Sequence, residues 1–562
     1  MMNRLITLLL VISLVACKQQ ESSIRTYGLQ ADSAIVVSAH PLASQIGVDI
    51  MRSGGNAVDA SIAVQFALAV VHPSAGNLGG GGLMVIRLND GSTSTLDFRE
   101  TAPASATDTM YLDDAGNVKK GLSESGHLSC GVPGTVAGIA EAYKKYGKTK
   151  WKDLVQPAID LAFHGVALTD QEAQGLNSIQ DTLKKYNSVL PQQFIKAKWV
   201  AGDTLKQIEL GHTLERIRDQ GQAGFYEGKT ADDLIAEIKR GGGIMTAHDL
   251  LNYKAKWRDA LISNYKEFKI ITMPPPSSGG IALIQLLKST EPYEIGEMGV
   301  NTVPTIHLMT EAERRVYADR AVYLGDPDFY SVPTNALLND LYITERMSTF
   351  NPDKATPSSE IKEGKIQPKE SNHTTHISIV DSHGNAVSLT TTLNDDYGSK
   401  VVVSGAGFLL NDEMDDFSIK PGVANMYGAV GGTANKIEPG KRMLSSMTPT
   451  ILERDGKIFM VIGSRGGTSI ITSVFQTILN VVEHKMTMQE AVNTRRVHSQ
   501  WLPDLIDAEP ESMDSLTTQT LREMGHHVIF REGIGRVNAI LSVNGKLEGG
   551  ADPRGDNTAK GY

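Results

Sequence analysis

Cysteine is nearly absent: Cys17 and Cys130 are the two in 562 residues. No disulfide framework can be built from them, so the fold has to stand on its apolar core. Basic charge is in deficit, with 54 Lys and Arg against 64 Asp and Glu and a formal net charge of −10. No block of basic residues compensates, which argues against nucleic acid as a partner. The apolar run at 5–15 is too short to span a bilayer, and no other run is long enough. There is no internal repeat. The four glycines Gly79 to Gly82 lack the spacing of a dinucleotide fingerprint, so a nucleotide site is discounted; they permit close backbone approach or a tight buried bend.

What is present is an ordinary globular composition, 41% hydrophobic and 21% charged, long enough to bury a large core. Met1 to Arg4 followed by the apolar run reads as a secretion signal. Its end, Leu14-Val15-Ala16-Cys17, resembles a bacterial lipoprotein cleavage box. The expectation is a signal peptide at 1–16, lipid on Cys17, a polar tether at 18–23 and residence in the bacterial envelope, facing the periplasm. A plain signal peptide with an incidental cysteine is the alternative.

The most informative stretch is Ser371-Asn372-His373-Thr374-Thr375-His376-Ile377-Ser378-Ile379-Val380-Asp381. Its apolar alternation predicts a strand that turns at 381–385 and returns over 386–393. Upstream, 351–370 is rich in Pro, Ser, Lys and Glu and reads as a flexible linker running into that strand. A threonine hydroxyl becomes a nucleophile when its own α-amino group serves as base. That amine has a reference pKa near 7.7–8.0, close to working pH, but exists only after the chain is cut before the threonine. The bland alternative is a β-branched pair that merely starts a strand.

Elsewhere the pattern predicts a strand at 34–39, a helix to about 51, an Ala-rich helix over 57–71 and a strand at 83–88. Helices are expected after Gly131-Val132-Pro133-Gly134, over 151–244 and at 312–323. A strand at 458–462 enters Gly463-Ser464-Arg465-Gly466-Gly467, and a helix follows with apolar residues at helical spacing from Ile470 to Val481. Strand, Gly-Gly, helix aims backbone N–H groups at an anion, so Gly466 and Gly467 are either oxyanion donors or a tight turn. The acidic turn around Glu413 and Asp416 either grips an ammonium or is solvated. Arg99 with Ser445 and Ser446 suits a carboxylate.

Together these segments resemble the γ-glutamyltransferase (glutathione hydrolase) family of N-terminal-nucleophile hydrolases. The resemblance is carried by Gly54-Gly55-Asn56-Ala57, Asp97-Phe98-Arg99-Glu100, Gly131 to Gly134, Asn372 to His376, Leu410 to Phe417, Leu444-Ser445-Ser446-Met447, Gly463 to Gly467 and Ala551-Asp552-Pro553-Arg554. It implies an α/β fold, a four-layer αββα sandwich built jointly by a large chain, 17–373, and a small chain, 374–562. The large chain would carry the linker, about 351–373. It implies cleavage of the His373–Thr374 bond, Thr374 as nucleophile, Thr392 as its hydrogen-bonding partner, and Gly466 and Gly467 as the oxyanion hole. Arg99, Ser445 and Ser446 would hold the α-carboxylate of the γ-glutamyl group; Asn394, Glu413 and Asp416 its α-amino group; Tyr427 would gate a lid.

Implied substrates are glutathione and other γ-glutamyl compounds, with water, amino acids or dipeptides as acceptors, and no metal or organic cofactor. Two departures from the family pattern stand out: Met443, where proline is common, and Asp412, where asparagine is common. A β-lactam (cephalosporin) acylase of the same superfamily is the nearest rival, disfavoured by the full set of head-group ligands. A non-enzymatic binding lipoprotein is a further one. Ser-x-x-Lys at Ser263 and Ser359 lacks the companion motifs of a penicillin-binding enzyme. His373 and His376 fall on opposite faces of a strand, and His526-His527 has no ligand spacing, so a metal centre is not expected.

Overall fold

The structure, a computed structural model, describes residues 25–364, 375–420, 423, 425, 426 and 432–562. Two seven-stranded antiparallel sheets organise it. The first runs Thr558–Gly561, Ile35–Ser38, Thr375–Val380, Ala386–Thr392, Gly81–Arg87, Thr93–Phe98 and Lys256–Arg258. The second runs Leu29–Ala31, Lys546–Ala551, Arg536–Val543, Lys457–Arg465, Thr450–Arg454, Phe268–Thr272 and Leu261–Tyr265. Strands Thr375–Val380 and Ala386–Thr392 pack against Lys457–Arg465 of the opposing sheet.

The period-two rule explains how one strand serves two cores. Ile35 and Val37 join Leu83, Val85, Val461 and Ile540 between the sheets. Val36, Met84, Ile377 and Ile379 point the other way, into the core beneath the helices Pro41–Arg52 and Ala57–Val71. On the second sheet, Met460, Ile462 and Leu541 pack beneath the helices Gly279–Thr290 and Ser469–Val482. Ala57–Val71 is buried along its whole length, which its small side chains allow, and Asn56 with Asp59 caps it reciprocally. The strands at 35–38, 81–87 and 457–465 and the helices at 41–52, 57–71 and 469–482 fall where the apolar pattern put them, within a few residues.

Two stretches differ from expectation. The helix expected at 312–323 spans Val303–Tyr323, and its charged residues Glu311, Glu313, Arg314, Arg315, Asp319 and Arg320 are buried. The described part of the expected linker, 351–364, is fastened to the body rather than exposed throughout. Glu311 accepts from Thr356 N at 2.8 Å, Asp504 from Ser358 N at 2.8 Å and Asp319 from Gly364 N at 2.9 Å. Cys130 is buried and unpaired with sulfur. No helix of the described residues is long and apolar enough to cross a membrane.

Candidate active site

The site is assembled at one end of the central hairpin. Thr375 pairs with Thr391 across the sheet, and Thr392, buried, ends the returning strand. The Thr392 hydroxyl accepts from Asn394 N at 2.8 Å, while Asn394 takes a φ of 77° and donates its side-chain amide to Asp412 O at 3.1 Å. Asparagine tolerates this left-handed conformation better than most residues. The bend thus ties the strand end directly to the acidic segment. Asn77 braces it, donating to Thr391 Oγ1 at 3.0 Å and Thr392 O at 2.9 Å.

Four glycines let the adjoining strand come this close. A Cβ on Gly80 would lie 2.0 Å from Thr392 O, and one on Gly81 would lie 2.5 Å from Glu100 Oε2. Close approach, one of the two uses expected for this run, is the one realised.

The acidic segment is a short 3-10 turn, Glu413–Asp416, and it is buried. Its solvated alternative is therefore excluded. Arg99 Nη1 pairs with Glu413 Oε2 at 2.6 Å, and its Nη2 pairs closely with Asp416 Oδ2. The same guanidinium donates to Met443 O at 3.3 Å and Leu444 O at 3.1 Å, which seats the 443–446 loop against it. Met443 is buried there and contributes its carbonyl, a role any residue could fill. Asn435 locks the arrangement, donating to Asp416 O at 2.7 Å and accepting from Leu444 N at 3.0 Å.

Electrostatics follow from packing three carboxyls around one guanidinium. Burial, then Glu413, pushes Glu100 and Asp416 well above the usual carboxylate range, and burial raises Glu413 despite Arg99. Burial opposes the charge on Arg99, but Glu413, Asp416 and Glu100 outweigh it and keep the guanidinium charged. Such a cluster holds carboxyl groups and a guanidinium side by side, away from water.

Ser445 and Ser446, also buried, follow in the same loop. Ser445 Oγ accepts from Met447 N at 3.1 Å, which leaves its own proton to donate. Ser446 Oγ accepts from Arg320 Nη2 at 2.7 Å, and Arg320 also reaches Ser278 Oγ at 3.1 Å. Arg320 was not singled out in the sequence, where 312–323 reads only as a helix. The helix Val303–Tyr323 carries six charged residues, and nothing in their spacing marks Arg320 among them.

Gly466 and Gly467, at φ 127° and 71°, turn the strand Lys457–Arg465 into the helix Ser469–Val482. A Cβ on Gly466 would meet Gly535 Cα at 2.7 Å, so only glycine fits. Beside them lies a cavity of about 400 Å3 whose lining includes Met426, Gly467, Thr468, His498 and Arg531. His376 sits between the sheets, its ring bonded to Thr390 Oγ1 at 2.9 Å and Ser378 Oγ at 3.0 Å. Burial lowers it to about 3, so it is a neutral core histidine. No group of three or more candidate metal ligands occurs among the described residues. Cys17, His373, Thr374 and Tyr427 lie outside the described residues.

A family model described as Gamma-glutamyltranspeptidase matches residues 43–562. The chain belongs to this family. A glutathione hydrolase proenzyme of Escherichia coli is 44% identical over 545 residues, 95% of this chain and 93% of the relative. Among solved structures, a cephalosporin acylase from Bacillus halodurans aligns with a TM-score of 0.85 at 25% identity, covering 97% of this chain and 98% of the other. The gamma-glutamyltranspeptidase of Helicobacter pylori is 45% identical with a TM-score of 0.57, covering 61% of this chain and 97% of its own. The lower score accompanies a matched chain that spans only part of this one.

Proposed function

We propose that this family member is a γ-glutamyltransferase with glutathione hydrolase activity, acting through Thr374. The observation that carries the reading is the buried convergence of Arg99, Glu413, Asp416, Ser445 and Ser446 at the end of the strand that begins at Thr375. An α-amino acid head group is a zwitterion, and this pocket offers it both complements. The ammonium replaces part of what Arg99 supplies to Glu413 and Asp416, with Asn394 beside it. That frees the guanidinium to share the α-carboxylate with the two serine hydroxyls.

The chain first cuts itself between His373 and Thr374, giving chains 17–373 and 374–562 that remain together as a heterodimer in a four-layer αββα sandwich. Thr374 Oγ then attacks the γ-amide carbonyl while its α-amine takes the proton. The Gly466 and Gly467 amides hold the oxyanion, and the departing amine, cysteinylglycine from glutathione, leaves with a proton. Water releases glutamate from the γ-glutamyl ester, or an amino acid or dipeptide amine takes the acyl group. Thr392 orients the nucleophile and Tyr427 gates the pocket. Lipid on Cys17 would hold the enzyme at the envelope, facing the periplasm.

The acylase reading keeps specific support in the overall likeness to a cephalosporin acylase and in an Acylase ACY 1 proenzyme that is 34% identical. A γ-glutamyl anilide and glutaryl-cephalosporin, assayed side by side, separate the two. Release of the anilide amine with no action on the cephalosporin supports γ-glutamyl transfer; the reverse overturns it. A glutaryl group lacks the ammonium that Glu413 and Asp416 are placed to receive.

A further inference from the structure

On this acidic chain one concavity is strongly basic. A cavity of about 660 Å3 adjoins Gly466, and its lining carries Arg465, Arg495, Arg531, Arg536 and Arg554 against a single carboxylate, Glu532. Arg554 is committed to Glu509 and Asp552. The other arginines are held loosely. Arg465 meets Asp396 at 3.4 Å, Arg495 meets Glu511 at 3.7 Å, and Arg531 meets Asp507 at 3.0 Å, each pair with at least one partner well exposed. Arg536 directs its fork at the Gln171 side-chain amide, a neutral acceptor, whose oxygen lies 3.1 Å away in the orientation that satisfies both groups. Burial, then the neighbouring Arg465, bring Arg536 down to about 10 against the opposing pull of Asp396, Asp552 and Asp556.

The register of the two sheets says where this cavity stands. A Cβ on Gly463 would touch the His376 ring, and Asn538 Nδ2 donates to His376 O at 2.9 Å. Two residues along, Ser378 Oγ donates to Asn538 O at 3.0 Å and reaches Val461 O at 3.3 Å. Stepping from Ser378 back to His376 therefore moves from Val461 to Gly463. One more step of two residues along Lys457–Arg465, roughly 6.6 Å, leads to Arg465, paired with Arg536. Arg531 and Gly466 also line the cavity beside the Gly466-Gly467 turn, so the two hollows share that wall.

We propose that this arginine-lined cavity is the subsite for the free carboxylate of the peptide or amino acid that leaves, or accepts, the γ-glutamyl group. The inference rests on the γ-glutamyl transfer proposed above. Guanidinium forks match carboxylates in a bidentate manner, and weakly paired arginines pay little to change partner. In transfer, the acceptor's neutral amine forms the new N–C bond as the ester bond between carbonyl carbon and Thr374 Oγ breaks. The amine's proton returns to that oxygen. Arg465, Arg531 and Arg536 hold the acceptor's other end.

The test uses the processed full-length enzyme with a γ-glutamyl anilide donor, comparing glycylglycine with glycylglycinamide as acceptors. The wild type is expected to show a KM for glycylglycine roughly ten-fold below that for the amide, the worth of one charge-assisted contact. Arg536→Gln and the exposed Arg531→Gln should each erase that preference while the KM for glycylglycinamide stays within two-fold. Equal use of the two acceptors by the wild type, or equal losses on both in the variants, would overturn the subsite. Inorganic phosphate that competes with glycylglycine but not with its amide supports a shared anion site. Phosphate binding with no acceptor preference would mark a site for the free anion and sink the proposal. Failure of the wild type to hydrolyse the donor at all would instead defeat γ-glutamyl transfer itself.

Discussion

Arg99 is the residue on which the candidate site turns, since one guanidinium spans Glu413, Asp416 and the carbonyls of Met443 and Leu444. Lysine keeps the charge but cannot fork, so Arg99→Lys should raise the KM for a γ-glutamyl donor about ten-fold or more, about 1.4 kcal/mol. Arg99→Gln leaves buried carboxylates uncompensated and should cost about 3–5 kcal/mol in urea unfolding. Asp412 makes a pH prediction. Burial holds its carboxyl well above the usual range, with Lys400 only partly opposing. A folded pKa above the unfolded one means that its contribution is fully present below the unfolded pKa and is lost as pH rises through the folded value. Asp412→Asn removes that loss, so its Tm advantage over wild type should grow as pH climbs from about 4, and a constant difference would contradict the assignment. Among single residues, the motif positions were legible because their chemistry is strongly typed. Arg320 and Asn435 were not, because a lone arginine or asparagine acquires meaning only from the serine, carbonyl or amide it meets in three dimensions.

At the scale of elements, alternation made the central hairpin readable, and continuous small apolar residues did the same for the helix Ala57–Val71. The helix Val303–Tyr323 was only half visible, since its buried Glu and Arg residues mimic a solvated face. Arg314 and Arg315 both pair with Glu311 inside the protein, a compensation that spacing along one helix does not reveal as buried. Glycine turns were legible as glycine but not as to cause. The distinction is testable: a Cβ at Gly80 meets the Thr392 carbonyl, whereas one at Gly91, with φ 86°, meets nothing within 4 Å. Gly80→Ala should therefore destabilise by about 3 kcal/mol and impair activity, while Gly91→Ala should cost about 1 kcal/mol through its backbone alone and leave activity intact. Thermal melts and a γ-glutamyl anilide assay on the pair would show whether strand proximity is the reason for the four-glycine run.

For the whole molecule, the decisive property is interleaving. Ile35–Ser38 lies between Thr375–Val380 and Thr558–Gly561, and Phe268–Thr272 lies between Leu261–Tyr265 and Thr450–Arg454. Both sheets thus draw strands from either side of residue 374, and most of their ladder hydrogen bonds would survive a cut there. The two resulting chains should co-elute in native size-exclusion chromatography and separate only in denaturant; dissociation under native conditions would contradict the shared core. The pairing across residue 374 was not legible in the sequence, because that strand order depends on contacts between residues far apart in the chain. Only the family resemblance hinted at a joint fold. The central claim, that Thr374 becomes a chain-terminal nucleophile, is tested most directly by intact mass and N-terminal sequencing of the purified protein beside a Thr374→Ala variant. The account predicts two chains for the wild type, the smaller beginning Thr374-Thr375-His376, and one uncut chain for the variant. A folded wild type that remains a single chain would contradict it.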